Sequence, residues 1–116
     1  MLKNTVLTLG ILALGGCASI QLPPDQLETN EASIRGAEEL GASGVPDAKL
    51  HLQLARDETA TAKKLAAQGD DRAVVVLAAA DSDAELALGL AREVSVHDDA
   101  QRAADDLKVV QARGTP

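Results

Sequence analysis

The sequence contains no Phe, Tyr or Trp among its 116 residues, although 46% of them are hydrophobic. Any core must therefore be aliphatic, and no ring is available to stack on a base. Cysteine occurs once, which excludes an intrachain disulfide framework and a site built from several thiolates. Positive charge is short as well. Eleven Lys and Arg stand against 18 Asp and Glu, a net charge of −7, the wrong sign for holding a polyphosphate backbone. Nucleic acid is thus not an expected partner. The abundant residues are 22 Ala and 17 Leu. Alanine brings little apolar area per residue, so a single small domain with modest burial is the most this length supports.

Long apolar runs are also scarce. One charge at Lys3 precedes the uncharged stretch Thr5 to Leu14, the layout of a signal peptide. As a helix, such a stretch reaches less than about 20 Å, short of the ~30 Å hydrocarbon core of a bilayer. It ends in Leu14-Gly15-Gly16-Cys17, which resembles the bacterial lipobox. That resemblance implies recognition of Leu14, Gly15 and Gly16 by a signal peptidase, diacylation of the Cys17 thiol, and cleavage that leaves Cys17 as the new N-terminus. Two or three acyl chains bury many methylenes at ~0.8 kcal/mol each and anchor far more strongly than one myristate. Ala18 and Ser19 follow where an Asp tends to retain enteric lipoproteins at the inner membrane, so the expected location is the cell envelope and, for a Gram-negative source, the outer membrane facing the periplasm.

The rest reads as an all-α protein: an antiparallel Ala-rich helical hairpin within a small three-helix bundle, preceded by a lipoprotein signal peptide (residues 1–16). Residues 17–24, ending in Pro23-Pro24, read as an extended tether. The helical domain is expected over 25–113, with helices at about 25–40, 46–68 and 71–94, the last continuing or bending near Ser95-Val96 to about 112. Asp25 as N-cap with Glu28 three residues on resembles a capping box. Leu27, Asn30, Ile34, Ala37 and Gly41 form the first helix's narrow stripe. Pro46 suits a first helical position.

Ala48, Leu52, Ala55, Thr59, Ala62 and Ala66 then recur at heptad spacing, as do Ala73, Leu77, Ala80, Ala84, Ala87, Ala91 and Val94. Between them Gly69-Asp70-Asp71 supplies a left-handed cap and an N-cap. Folding the chain back at Gly69 pairs positions whose numbers sum to 139, so Leu52 faces Ala87 and Ala62 faces Leu77. Such small side chains allow a close helix approach. A second row, Leu50, Leu54 and Leu65 on one helix and Val75, Ala79, Leu86 and Leu90 on the other, needs cover, for which the first helix is the nearest candidate and a partner protein or a second copy the alternative. Past Val94 the apolar stripe shifts to Ala100, Ala103, Ala104, Leu107 and Val110.

The segment from Val45 to about Val94 resembles the bacterial lipoprotein family known as domain of unknown function 4398. The shared features are the lipobox at Leu14 to Cys17, the Pro46-started Ala/Leu helix, the Gly69-Asp70 turn and Asp83-Ala84-Glu85-Leu86-Ala87 on the following helix. This chain departs from the family in carrying Asp47-Ala48 where a Glu-Leu pair is usual after the proline.

Chemistry is sparse. Asp47 and His51, one turn apart, make at most half of a metal site. His97, Asp98 and Asp99 are consecutive and diverge by ~100° each on a helix. Ser33, Ser43, Ser82 and Ser95 lack a nucleophile-elbow context, and Asp81 and Asp83 read as polar flanks of the seam. No catalytic residue, metal site or cofactor beyond lipid on Cys17 is expected. The function expected is a non-enzymatic, lipid-anchored spacer or docking adaptor, with Leu50, Leu54, Leu65, Leu86, Leu90, Leu107 and Val110 as candidate docking rows. Its partners would be the membrane, through the anchor, and another envelope protein or a second copy. The alternative is a periplasmic holdase or a soluble-ligand binding module.

Overall fold

The computed structural model describes residues 18–114. Leu14, Gly15, Gly16 and Cys17 lie outside the described residues. Three α-helices, α1 (Pro24–Glu39), α2 (Pro46–Ala67) and α3 (Arg72–Gly114), with a short 3₁₀ turn at Ala42–Gly44, account for the fold. The described residues are all-α, with α2 and α3 folded into the hairpin that the periodicity predicts and α1 packed beside it.

The hairpin follows the alanine seam. Ala48, Leu52, Ala55, Thr59, Ala62 and Ala66 are the buried residues of α2. Ala73, Leu77, Ala80, Ala84, Ala87 and Ala91 are those of α3. Val94, the last expected seam position, is exposed, because α2 begins at Pro46 and nothing of the hairpin reaches that far. The turn is a Schellman cap. Gly69 takes φ 73°, its N–H bonds the Ala66 carbonyl at 3.0 Å, and the Asp70 N–H bonds the Leu65 carbonyl at 3.0 Å. These bonds satisfy carbonyls that the helix end would leave unpaired. Asp70 then accepts the Arg72 N–H at 3.0 Å and starts α3.

α1 begins one residue before the expected Asp25. Pro24 occupies the first turn without loss, since its missing N–H would be unpaired there, and no side chain caps the helix. Asp25 instead lies inside that turn, where a negative charge faces the positive helix end. Gly41, at φ 79°, ends the helix, and Ala42 is buried beneath it.

The position of α1 corrects the expected cover for the second row. α1 lies along the flank carrying Arg56, Lys63 and Leu88. Arg56 pairs with Glu38, Lys63 pairs with Glu31 at 2.6 Å, and a Cβ on Gly36 would stand 3.2 Å from Leu88. Leu50, Leu54, Val75 and Leu86 consequently remain exposed, while Leu65 and Leu90 are half-buried.

The tether is not free either. Ile20 donates its N–H to the Ala66 carbonyl at 2.9 Å, strapping residues 18–20 to the hairpin turn. α3 neither bends nor breaks at Ser95-Val96 and runs for 43 residues, about 63 Å. From Arg92 to Gly114 every residue except Ser95 is exposed.

Candidate functional site

Two features outside the core invite a functional reading: a polar cluster across α2 and α3, and the free end of α3.

On the flank away from α1, the positions just before the seam residues Leu52, Thr59 and Ala84 are His51, Glu58 and Asp83. Antiparallel heptad geometry brings such flanking positions of two helices together. His51 Nδ1 lies 2.6 Å from Asp83 Oδ1 in a half-buried hydrogen bond. Burial raises the Glu58 carboxyl above its ordinary range, the nearby Asp83 charge raises it further, and a hydrogen bond to Asp83 adds to both. Glu58 Oε2 is buried without a hydrogen-bond partner, as is Asp81 Oδ1. Asp81 and Asp83, two residues apart, point roughly 200° away from each other on a helix, so Asp83 acts with α2 and not with Asp81.

Sequence reasoning placed His51 with Asp47 and missed Asp83. The signal was present in the fold-back register, which sets the flank of Ala84 one turn from the flank of Leu52. Among the described residues, no group of three or more His, Cys, Asp or Glu could hold a metal ion. His97, Asp98 and Asp99 are all exposed on α3. Ser33 is buried on α1, whereas Ser43 and Ser82 are exposed, and Ser82 donates to the Ala78 carbonyl. Two shallow clefts lie beside α1, a partly acidic one lined by Asp25, Glu28, Thr29, Ala32, Ser33 and Leu88 and one that includes Leu22, Leu27 and Lys63.

The free end of α3 presents Val96, Ala100, Ala103, Leu107, Val110 and Gly114 at 4-3-4-3-4 spacing. These positions fall within about 80° of one another around a helix. Val96, Leu107 and Val110 are 62%, 62% and 66% exposed, so this stripe has no cover from the other described residues. Its charged flanks are internally paired in part, Asp99 with Arg102 at 2.8 Å and Asp105 with Lys108 at 2.9 Å.

No protein-family model matches this chain, and no curated protein or solved structure proves similar to it. Among the described residues, no helix is long and apolar enough to cross a membrane.

Proposed function

We propose that the protein is a non-enzymatic, lipid-anchored spacer of the bacterial cell envelope, held by acyl chains on Cys17 and docking, through the free end of α3, another envelope protein or a second copy of this chain. The observation that carries this reading is the polarity of the rod. Ala18 to Ile20 is strapped to the turn at Gly69, so the chain enters at one end of the hairpin. The uncovered stripe of α3 leaves from the other end, with Leu107 about 52 Å along the helix from Arg72. An anchor just before Ala18 would hold the first end at a lipid surface and present the second well away from it.

Further support comes from the sequence. The lipobox-like Leu14-Gly15-Gly16-Cys17 places the only thiol where lipidation chemistry needs it, and membership of the domain of unknown function 4398 family would fit the same reading. Leu50, Leu54 and Leu86 are exposed and offer a secondary docking row along the hairpin, with the half-buried Leu65 and Leu90 at its edge.

The experiment is the intact mass and membrane fractionation of the native protein beside Cys17→Ser. The expected result is a mass that starts at residue 17 with added acyl chains, and a variant lost from membranes. An unlipidated native chain in the soluble fraction would overturn the anchor.

A further inference from the structure

We propose that the free end of α3 is a self-pairing element: two copies join by laying residues 96–114 antiparallel, with facing positions summing to 210. In this register Ala100 faces the second copy's Val110, Ala103 faces its Leu107, and Val96 faces its Gly114. Each layer sets a small residue against a larger one. Two layers of the hairpin within one chain show the same arrangement, Leu52 opposite Ala87 and Leu77 opposite Ala62, all four buried. Interdigitation of large and small side chains fills space at native density without forcing the helices apart.

Charge selects the direction. Residues 98–106 carry Asp98, Asp99, Asp105 and Asp106 against Arg102 alone, whereas 107–114 carry Lys108 and Arg113 and no acid. Antiparallel pairing lays Asp98 and Asp99 of one copy over the Lys108 to Arg113 end of the other and opposes the two helix dipoles. It also brings Asp99 beside the second copy's Arg113, twice by symmetry. Parallel pairing would put like on like and match Leu107 with Leu107 and Ala103 with Ala103. One like-charge approach survives in the antiparallel form, Asp106 with its own copy at the two-fold axis, and Asp106→Asn is expected to tighten the pair.

The overlap is about 27 Å long, so the dimer is weak and concentration-dependent. The bundles do not collide, because each begins where the other's α3 ends. The two Gly69 turns then stand about 100 Å apart, and the pair is a double-length rod with its strapped termini at opposite poles.

The test uses the full chain carrying Cys17→Ser, so that neither lipid nor the native thiol contributes and the outcome is independent of the anchor. One preparation additionally carries Val96→Cys and another Gly114→Cys. Under mild oxidation their equimolar mixture is expected to yield the disulfide-linked heterodimer in excess over either self-linked species. Leu107→Asp in both copies should reduce that yield by about tenfold or more, equivalent to ~1.4 kcal/mol, and leave unfolding of the bundle unchanged, since Leu107 is outside its core. Asp99→Arg or Arg113→Asp alone should weaken linkage, and the two together should restore it. An excess of the self-linked Val96→Cys species, an absence of linked product, indifference to Leu107→Asp, or a failed charge-swap rescue would each overturn the proposal.

Discussion

Thr59 of α2 reaches Asn30 of α1 inside the bundle, with Thr59 Oγ1 2.7 Å from the Asn30 side-chain amide (Oδ1) and 2.6 Å from the Ala55 carbonyl oxygen. A hydroxyl has one proton to give. Both bonds form when the Asn30 amide presents its nitrogen to Thr59, so that the amide donates to the hydroxyl and the hydroxyl donates to Ala55. The other half of the amide stays unpaired in either orientation, at a residue with no exposure. The contact fixes how α1 sits on α2 at a cost in stability, the trade made by buried polar groups that specify register.

The energetic consequence can be separated by a mutant cycle. Thr59→Val leaves the Asn30 amide without a partner and should destabilise by about 1–3 kcal/mol. Asn30→Leu removes the unpaired group and should be neutral or stabilising by about 1 kcal/mol. The double variant should recover most of the loss from Thr59→Val. Denaturant unfolding of the four chains measures this, and equal losses for both single variants would refute it.

Ala80 tests the close approach of the hairpin. It has no exposure, and Ala80→Leu adds a side chain to a seam with no room for one. Overpacking should cost roughly 1–3 kcal/mol, seen as a lower melting temperature. Ala79→Leu, one residue along on an exposed position, is the control and should change little.

Gly69 and Gly41 form a matched pair. Both have positive φ, so alanine at either pays the left-handed penalty of about 1–2 kcal/mol. A Cβ at Gly41 meets nothing, whereas one at Gly69 collides with the Ala18 carbonyl oxygen. Gly69→Ala should therefore cost more than Gly41→Ala and expose the Ile20 amide, which hydrogen exchange would register as lost protection. Equal costs with Ile20 still protected would mean that the strap is not held by this contact.

The acid response should have two opposed phases. Glu58 has a raised folded pKa, so the folded state holds its proton more tightly than the unfolded chain does. Its effect on stability improves as pH falls through the raised value and is complete below the ordinary 4.5. Asp70 is held down to about 2, first by its side-chain hydrogen bonds from Arg72 and then by the Arg72 backbone N–H. Its contribution is present above the ordinary 3.8 and fades as pH drops toward 2. Melting temperature should therefore rise as pH approaches 4.5 from above and decline below 3.8. Glu58→Gln should flatten the first phase, and Asp70→Asn the second.

The hairpin was legible because its alanines repeat strictly and because Gly69-Asp70 interrupts them with residues suited to a helix cap. α1 was less so. Its buried side includes Asn30 and Ser33, which carry no apolar signal, and its seat depends on Glu31 and Glu38 finding Lys63 and Arg56, partners on another helix. The expected cover for Leu50 and Leu54 failed for that reason. His51 and Asp83 are 32 residues apart, and only the three-dimensional register brings them together. The continuity of α3 past Val96 could be expected from the absence of Gly or Pro before Gly114, but apolar periodicity could not decide it, since the stripe changes face there.

The strap at Gly69 also has a mechanical meaning. A flexible tether would absorb force applied at its end by straightening, and would let the rod swivel about its base. Here the Ile20–Ala66 hydrogen bond and the seat of Ala18 on Gly69 leave little slack between residue 18 and the hairpin. A push or twist delivered at that end passes into α2 and α3 together, and a tilt of about 10° there moves the far tip of α3 by about 11 Å. The molecule is thus a lever with its fulcrum at a glycine, and Gly69→Ala is the change that would turn it into a pendulum.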